Sequence, residues 1–397
     1  MSFPGYTCDA DQEKILAASK HLYLDKEDMV NFHFMAHQRN LLKAPDFMEA
    51  FEEDLLRRKL EELKTNCPFF DELDYNKSFI PMPSYEASEM TTERFQDLLK
   101  DRNAPPILIR GLTRDSEAVQ TWNHEYLMNH FGKVSIQALQ FAEDGSYQAA
   151  GDAGTGLLSL SEVIRAQLSG KKQQSYYVNN SSQIFIDYPE LLEVVGGRKV
   201  LDLFRNHSVN SFSQLFVGNV RTWGTNWHQG NDLSCAMMIH GVKRWTFIDP
   251  RLVYILKPFL NGPNGMLTKA EVRHSLDFQA IYHPLYAYMP KFILDMQPGD
   301  ALIFTKYWPH AVVNVTPFQI MANMRMTEVD LESLKKGNST ANLMPVFDNI
   351  LNSDPEFIRF KFQIYQTLGQ AQKAIGDDTY FGGYASTRRV QPTGAAP

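Results

Sequence analysis

Helical periodicity marks the first part of the chain. Between Asp46 and Thr65, apolar residues recur at spacings of three and four, which predicts an amphipathic helix with one buried face. Pro45 and Asp46 supply the signal for its start. Residues 67–93 are rich in Pro, Ser and Asp, and this composition predicts a wrapping loop. We therefore expect a helical N-terminal extension over residues 1–104.

The pattern changes at Pro105, where short apolar runs bounded by Gly, Pro and Asp begin. The runs continue to about Thr327 and are rich in β-branched and aromatic residues. They are PPILIRGL, KVSIQAL, SYYVNN, SQLFVGNV, CAMMIHGVKRWTFIDP, ALIFTKYW, VVNV and IMANMRM. Many short strands separated by turns are typical of a barrel or a sandwich. We therefore predict an all-β core over residues 105–327.

A helical period returns after Thr327. Asp354-Pro355 is a start signal, and apolar residues then recur every three or four positions up to Ile375. This pattern predicts a helical C-terminal extension over residues 328–383, which packs either on the core or on a second subunit in a homodimer. Residues 384–397 are expected to form a flexible tail.

Composition excludes several classes of protein. The 397 residues are 44% hydrophobic and 21% charged, which is typical of a globular chain and excludes disorder or a coiled coil as a description of the whole. The net charge of −7 argues against a nucleic-acid partner. Three cysteines without a CxxC motif predict neither a disulfide framework nor a cysteine zinc site. No signal peptide or apolar membrane span is visible, so we expect a cytoplasmic protein with no membrane partner.

Two short passages carry the candidate chemistry. The first is TNWHQGND, residues 225–232, and the second is PGDALIFTKYWPH, residues 298–310. In the second, Pro-Gly-Asp predicts a tight turn that feeds a strand ending near His310. If the first passage is extended, His228, Gly230 and Asp232 point to one side of its strand. With that side turned inward, His228 and His310 can meet in a metal site.

The ordered set of motifs resembles the JmjC and cupin-like family of iron(II)- and 2-oxoglutarate-dependent oxygenases, and most closely its asparaginyl-hydroxylase-like branch. That family has His-x-Asp, then Gly-x-Lys, then Pro-Gly-Asp before a strand that ends in Trp-x-His. Here His228, Gly241-Val242-Lys243, Pro298-Gly299-Asp300 and Trp308-Pro309-His310 follow in the same order and at similar spacings. The resemblance covers residues 105–327. It implies a jelly-roll cupin barrel, or double-stranded β-helix, that uses iron(II), 2-oxoglutarate and dioxygen.

The resemblance also implies roles for individual residues. His228 and His310 resemble the two histidine ligands of iron. Lys243 resembles the residue that pairs with the distal carboxylate of 2-oxoglutarate, and Thr225 resembles a hydroxyl that hydrogen-bonds the same carboxylate. A lysine ammonium inside a closed β core requires an anion, which a dicarboxylate supplies.

Two further residues are candidates for the co-substrate pocket. Tyr177 resembles the phenol that completes the pocket, with Tyr176 as the alternative because strand register is easily misjudged by one residue. Asn323, in the last predicted strand, is expected to contact the co-substrate or its carboxylate.

The chain departs from the family pattern at the third metal ligand. Gly230 stands where the family has the carboxylate of His-x-Asp. Two histidines and a carboxylate are the usual ligands of such iron sites, and glycine offers no side chain. Iron(II)/2-oxoglutarate halogenases have a small residue at this position, where chloride or bromide binds the iron. By that likeness the reaction is halogenation of a small molecule, with the halide bound beside Gly230.

Two other interpretations remain open. Asp232 or water completes the site in the first, and the protein is then a hydroxylase or a related oxidase. A step of two residues is about 6.5 Å along a strand, so ligation by Asp232 requires a bulge. In the second, the metal site is lost and the barrel is a non-catalytic binding protein. The apparent retention of Lys243 and Thr225 argues against such a loss.

The favoured substrate is a small molecule such as an amino acid. Arg221 and Arg325 are candidates to bind a substrate carboxylate, and Asp232 to bind an amine. A protein side chain is the alternative substrate, because the branch that the chain resembles most hydroxylates proteins. Four aromatic residues near the two histidines either form substrate walls or pack in the core: Trp223, Trp227, Tyr307 and Trp308.

Overall fold

The computed structural model of the protein describes sixteen stretches of the chain. They are residues 12–25, 27–29, 31–32, 35–36, 48–67, 79–99, 105–141, 147–149, 157–169, 175–204, 209–220, 224–230, 233–261, 267–270, 284–305 and 308–328. The predicted C-terminal helix and tail lie outside these stretches, as do Arg221, Trp223, Asn231, Asp232 and Tyr307. Within them, no helix is both long enough and apolar enough to cross a membrane.

Two helices precede the β core. Helix α1 spans Gln12–Leu22 and α2 spans Glu49–Asn66. The second confirms the helix predicted from periodicity, and its Leu55 and Leu63 are fully buried. It ends at Cys67, whose backbone N–H donates to the Leu63 carbonyl at 2.9 Å. The helical prediction is therefore confirmed for this part of the N-terminal extension.

The core is built from short strands in two sheets. The strands are β1 (Phe79–Pro81), β2 (Ser84–Glu86), β3 (Ile107–Arg110), β4 (Ser135–Phe141), β5 (Tyr147–Ala149), β6 (Leu157–Ser159), β7 (Ser175–Ser181), β8 (Val209–Gly218), β9 (Thr225–Gln229), β10 (Leu233–His240), β11 (Lys243–Ile248), β12 (Pro258–Asn261), β13 (Leu267–Ala270), β14 (Lys291–Met296), β15 (Ala301–Phe304), β16 (His310–Asn314) and β17 (Gln319–Glu328). Most of the β-rich runs in the sequence correspond to one of these strands.

The smaller sheet has the strand order β1-β14-β11-β16-β9-β13-β12. The larger sheet has the order β2-β3-β15-β10-β17-β8-β7-β4-β5, with β6 paired to β4. From β8 to β11, and again from β14 to β17, consecutive strands alternate between the two sheets. This alternation brings β9 and β16 together in the smaller sheet, and it joins β10 and β17 in the larger one.

Short helices interrupt the strands and cover the larger sheet. They are α3 (Thr92–Leu99), α4 (Glu117–Thr121), α5 (His124–Phe131), α6 (Leu160–Ser169), α7 (Gln183–Asp187), α8 (Leu191–Val194) and α9 (Gly197–Leu203), while α10 (Pro284–Tyr288) lies near the smaller sheet. Their apolar residues pack with one face of β10, β15 and β17 in a single buried cluster, which we call the helix-side cluster. A second cluster joins α1, α2 and α10 to the smaller sheet, and we call it the N-terminal cluster.

A third cluster, the inner cluster, fills the space between the two sheets. It contains Met82, Leu108, Tyr177, Phe216, Ala236, Met238, Trp245, Phe247, Leu294, Met296, Leu302, Phe304, Trp308, Val312 and Met321. Since these residues come from both sheets, the two sheets face each other, and each large side chain buried there contributes about 1.5–3 kcal/mol to stability. Along each strand, side chains alternate between the two faces of the sheet. A residue whose neighbours on the strand belong to the helix-side cluster or the N-terminal cluster therefore points into the space between the sheets.

The predicted β-rich core with a helical element before it is confirmed, with two differences in detail. The segment predicted as a wrapping loop contains β1 and β2, which pair in parallel with β14 and β3. The region predicted to alternate strands with turns also contains the helices α4–α9. These helices bury the outer face of the larger sheet, so its strands are apolar on both faces.

Candidate functional site

Two histidines lie side by side in the smaller sheet. His228 on β9 and His310 on β16 are direct antiparallel partners, and their ring centroids are 4.1 Å apart. Directly opposed residues in an antiparallel pair point to the same face. Ala311, the next residue on β16, belongs to the N-terminal cluster, and Val312 belongs to the inner cluster. Both imidazoles therefore point into the space between the sheets.

A backbone hydrogen bond fixes the tautomer of His310. Its Nδ1 lies 2.8 Å from the carbonyl oxygen of Trp308. A carbonyl only accepts hydrogen bonds, so in the neutral ring Nδ1 carries the proton and Nε2 keeps its lone pair. Metal-binding histidines usually donate their second nitrogen in this way. The arrangement leaves Nε2 as the nitrogen available to a metal.

The surroundings of His310 keep its ring neutral. Burial lowers the pKa of His310 well below its usual value, and the neighbouring His228 and Arg325 lower it further. The ring centroid of Phe304 lies 4.9 Å away, and those of Trp245 and Phe247 lie 5.5 Å away. A neutral imidazole is the form that binds metal ions. His310 is thus in its ligand form at neutral pH.

A lysine is buried completely in the same interior. The side chain of Lys243, at the start of β11, has no exposed area, and its Nζ donates a hydrogen bond of 3.0 Å to the Tyr177 hydroxyl. The ammonium also lies 5.1 Å from the ring centroid of Tyr177 and 5.6 Å from that of Phe216. Burial lowers the pKa of Lys243 to about 7. An anion placed beside Nζ would favour the charged form.

Two asparagines extend this polar pocket. Asn314 is the direct partner of Lys243 across β11 and β16. A Cβ at Gly218 would lie 2.7 Å from Asn314 Nδ2 and 2.8 Å from Tyr177 Cδ2, so only glycine allows both groups to approach β8. Asn323 is 3% exposed, and its Oδ1 has no hydrogen-bond partner among the described residues. A buried amide oxygen without a donor indicates a place for a polar ligand.

The histidine pair and Lys243 lie at different positions along the strands, on the inner face of the smaller sheet. Along β11, Phe247 is opposite His310 and Lys243 is opposite Asn314. Four residues separate these positions, which is about 13 Å along a strand. The side chains at both ends shorten this distance, and a ligand that reaches both the imidazoles and the ammonium would have to span what remains.

A β-bulge places Thr225 on the inner face. His310 pairs with His228 and Val312 pairs with Thr225, so three steps on β9 match two on β16. Thr225 and His228 would point to opposite sides of a regular strand because they are three residues apart. The extra residue of the bulge turns Thr225 to the same face as Val312, which is the inner face. Gly224 precedes the bulge with a φ of +91°, and a Cβ there would lie 2.1 Å from the Val312 carbonyl oxygen.

Gly230 follows β9 and is buried. Its backbone is not in the left-handed region, so conformation does not require a glycine there. Apart from chain neighbours, the single described atom within 4 Å of a Cβ built on Gly230 is Arg325 Nη1, at 3.3 Å. Arg325 lies on β17, where Met324 and Met326 belong to the helix-side cluster, so its side chain points inward. Among the described residues, the guanidinium of Arg325 is thus the group that borders the position where the family has its carboxylate.

The structure shows where most of the residues named from the sequence lie and distinguishes between alternatives that the sequence left open for some of them. Tyr177 points inward, whereas Tyr176 packs on the helix-side cluster, so the first register is correct. Trp308 lies in the inner cluster. Trp227 does not form a wall of this site, because it packs in the N-terminal cluster and donates a hydrogen bond of 3.1 Å to the Tyr286 hydroxyl. Asn314 was missed, although its position four residues after His310 places it on the same face.

The residues fit a metal held by two imidazoles beside a small dicarboxylate. In the described part of the chain, no group of three or more His, Cys, Asp or Glu can hold a metal ion. Protein ligands other than His228 and His310 would have to come from the rest of the chain, such as Asp232. Lys243, Tyr177 and Asn323 offer the donors and the acceptor that a bound carboxylate and its surroundings require.

Comparison with known proteins identifies the domain. The profile described as a cupin-like domain matches residues 91–325, which is more than half of the chain. The match includes His228, Gly230, Lys243 and His310. No curated protein matches the chain.

Proposed function

The chain belongs to the family of cupin-like domains, and on that premise we propose that it is an iron(II)- and 2-oxoglutarate-dependent oxidising enzyme. One observation supports this proposal most strongly. The buried Lys243–Tyr177 pair and the His228–His310 pair lie in the same interior, on the inner faces of the two sheets. A buried amine is costly unless it meets an anion, and neutral imidazoles suit a metal.

Each residue then has a defined task. His228 and the Nε2 of His310 would hold the iron, and the Trp308 carbonyl would keep the His310 ring in place. Lys243, supported by Tyr177, would bind the distal carboxylate of 2-oxoglutarate, while Thr225 and Asn323 would hydrogen-bond the co-substrate. When bound, iron and 2-oxoglutarate supply the oxidising power of dioxygen, with release of succinate and carbon dioxide. The large aromatic side chains around His310 exclude water from this chemistry.

Within this class we propose halogenation as the reaction. Gly230 leaves space beside the two histidines, and Arg325 places a positive charge at the edge of that space. Chloride or bromide can occupy it, whereas a carboxylate side chain would exclude them. The balanced reaction joins substrate R–H, halide, dioxygen, 2-oxoglutarate and one proton, and yields R–X, succinate, carbon dioxide and water. A small amino acid or similar zwitterion is the proposed substrate, and a protein side chain is the alternative.

The test is an assay of the purified chain with iron(II), 2-oxoglutarate, dioxygen and bromide in a metabolite extract. We expect succinate together with brominated products in mass spectrometry, and chlorinated ones when chloride replaces bromide. Hydroxylated products alone would select the hydroxylase alternative, in which Asp232 or water completes the metal site. No succinate under any condition would select a binding protein without catalysis. Asp232→Asn then tests the ligand, because iron affinity would fall if Asp232 completes the site and would stay unchanged if a halide or water does.

A further inference from the structure

A cavity of about 550 Å³ lies at the surface of the β core. Its walls come from the turn after β2, the loop after β3, α4 and α9. We propose that this cavity binds a small molecule with an apolar body and one oxyanion group, a carboxylate or a phosphate, and that Arg114 holds the oxyanion. The proposal goes beyond the proposed function and does not depend on it.

The cavity lies at the end of β15 that is remote from the two histidines. Gly111, in the cavity wall, donates its backbone N–H to the Asp300 carboxylate at 3.0 Å, directly before β15 begins. Phe304, whose ring lies next to that of His310, ends the same strand. Four residues separate Asp300 from Phe304, which is about 13 Å along a strand. The cavity is therefore separate from the candidate metal site.

The backbone of Arg114 is held firmly by its surroundings. Its N–H donates to the Gly111 carbonyl at 3.2 Å, and its carbonyl accepts a hydrogen bond of 2.8 Å from Gln120 Nε2. A Cβ at Gly299 would lie 2.7 Å from Arg114 Cα, so only glycine allows the loop to approach the turn before β15 this closely. Thr113 ties the loop to the same turn, because its N–H donates to the Gly299 carbonyl at 2.9 Å. The β core thus sets the position of Arg114.

The guanidinium of Arg114 lies against the backbone of Gly111. A Cβ built on Gly111 would be 2.9 Å from Nη2 and 3.1 Å from Cζ of Arg114, so a side chain there would displace the guanidinium. Within the stretches that the structure describes, the Arg114 side chain has no ion-pair or hydrogen-bond partner. A flat group of unused donors suits an oxyanion, which it can bind through two parallel hydrogen bonds.

The other charges in the cavity wall do not neutralise Arg114. Lys199 on α9 forms an ion pair with Asp115, and both side chains line the cavity. Asp202 also lines it, but no ion pair joins this residue to Arg114. Among the described residues of the wall, Arg114 is therefore the cation that remains available to a ligand.

An apolar floor completes the site. Ala87 and Leu112 line the cavity and pack on the helix-side cluster. Both residues are half-buried, so part of each still faces water. A ligand with an apolar body would cover this surface, which is favourable. Small-molecule sites usually have volumes of about 300–1,000 Å³, and this cavity lies within that range.

The first experiment measures binding to the full chain by calorimetry, with benzoate and phenyl phosphate as probes. Benzyl alcohol has the same apolar body without a charge and is the control ligand. We expect an anionic probe to bind saturably and to raise Tm by about 2 °C at ten times its Kd. Arg114→Gln should weaken its binding about tenfold or more, since charge-assisted hydrogen bonds are lost. Arg198→Gln is the matched control, because Arg198 is an exposed arginine on α9 that does not line the cavity.

The two probes identify the kind of oxyanion. Binding of benzoate alone supports a carboxylate ligand, binding of phenyl phosphate alone supports a phosphate ligand, and binding of both supports a site that accepts either group. Binding of neither probe, equal binding in Arg114→Gln, or equal binding of benzyl alcohol would overturn the proposal. Lys243→Met should keep the affinity of the wild type, and a loss in this variant would place the probe in the inner pocket and overturn the proposal as well.

The second experiment changes the charge of the wall without altering Arg114. Asp115→Asn removes the partner of Lys199 and makes its ammonium available, so the affinity for the anionic probe should rise about two- to fivefold. Lys199→Gln leaves the Asp115 carboxylate without its cation, so the affinity should fall by a similar factor. Unchanged affinities, or a change in the same direction in both variants, would contradict an oxyanion at this position. Succinate formation is scored separately, so failure of this site and failure of the proposed function are distinguishable.

Discussion

Lys243 in the smaller sheet donates a hydrogen bond of 3.0 Å to the hydroxyl of Tyr177 in the larger sheet. This polar contact crosses a cluster that is otherwise largely apolar, and both side chains are almost fully buried. An amine in such a position weakens the fold unless it serves a ligand. The contact between these two residues therefore supports the proposal that Lys243 binds a carboxylate.

Lys243→Met should remove 2-oxoglutarate binding and keep the fold. Methionine fills a similar volume, so packing is preserved while the charge is lost. A hydrogen bond to a charged group is worth about 1.5–3 kcal/mol, so we expect the Kd for 2-oxoglutarate, measured by calorimetry, to rise about 10- to 100-fold. Lys291→Met is the matched control, because the Lys291 amine is also buried but donates to the backbone carbonyls of Tyr286 and Met289. If both variants bind 2-oxoglutarate equally, Lys243 is not the carboxylate ligand.

The affinity for 2-oxoglutarate should fall as pH rises above neutrality. In the ligand-free protein the pKa of Lys243 is about 7, and a carboxylate requires the protonated amine. Below pH 7 the lysine is already protonated, so the affinity should be level. Above pH 7 the affinity for 2-oxoglutarate should fall about tenfold for each pH unit, because binding must take up a proton. Calorimetry in buffers of different ionisation enthalpy measures that uptake, and a level profile up to pH 9 would contradict it.

The same lysine predicts how stability depends on pH. Folding lowers the pKa of Lys243 from 10.5 to about 7, so between these values the unfolded chain binds one proton more than the folded chain. The free energy of unfolding of the ligand-free wild type should therefore rise with pH across this window, relative to Lys243→Met. Urea unfolding of the wild type and of Lys243→Met at pH 7 and pH 9 measures how the difference between their free energies of unfolding changes with pH. A constant difference between the two proteins would show that the lysine keeps its proton in the folded state up to pH 9, so that folding does not lower its pKa.

Removal of either histidine should remove metal binding. His228→Ala or His310→Ala leaves one imidazole, and we expect the affinity for iron(II) or cobalt(II) to fall by about 100-fold or more, since loss of outer partners alone costs 10- to 100-fold. His240→Ala is the control, because His240 packs near Phe318, outside the pair. Cobalt absorption reports binding without turnover. Unchanged cobalt binding in His310→Ala would exclude this pair as the metal site.

The bulge in β9 should be sensitive to Gly224→Ala. The alanine would have to adopt a φ of +91° with its Cβ 2.1 Å from the Val312 carbonyl oxygen, so β9 must shift against β16. We expect a lower Tm and a loss of cobalt binding. Gly241→Ala is equally strained, with a φ of +75° and a contact of 2.3 Å to the Phe318 carbonyl oxygen, but it lies in another turn. Gly241→Ala should lower Tm and keep cobalt binding, and equal loss in both variants would refute a specific role for the bulge.

The sequence was sufficient for the strands within the β-rich runs and for the order of the motifs, whereas β12, β13 and β14 were not among the predicted runs. Runs such as CAMMIHGVKRWTFIDP combine β-branched and aromatic residues with a glycine turn, and they form β10 and β11 as predicted. The strands β1 and β2 were missed because each has three residues and pairs in parallel at an edge, where composition carries little signal. The helices α4–α9 are short, so their periodicity covers few turns and is easily read as loop.

The residues of the candidate site were predictable where the order of the motifs names the residue type. They were less predictable where the strand register decides to which face a side chain points. His228, His310 and Lys243 were identified by their order along the chain. Whether Trp227 lines the site or packs in the core was left open, because proximity in sequence to His228 says nothing about the face of the strand. The approach of Arg325 to Gly230 depends on the pairing of β17 with β10, which joins residues about 90 positions apart and has no local signature.

The bulge also sets how β9 is to be compared with other chains. One half of the strand presents even-numbered residues to the interior and the other half presents odd-numbered ones, with the change of parity between Thr225 and His228. Deletion of a single residue within this interval would remove the bulge and leave Thr225 two residues before His228, so both side chains would still point to the inner face of a regular strand. A relative with a regular strand would therefore require a one-residue gap there, and an ungapped alignment would equate residues with opposite orientations, so gap placement in this strand decides which relatives share the hydroxyl.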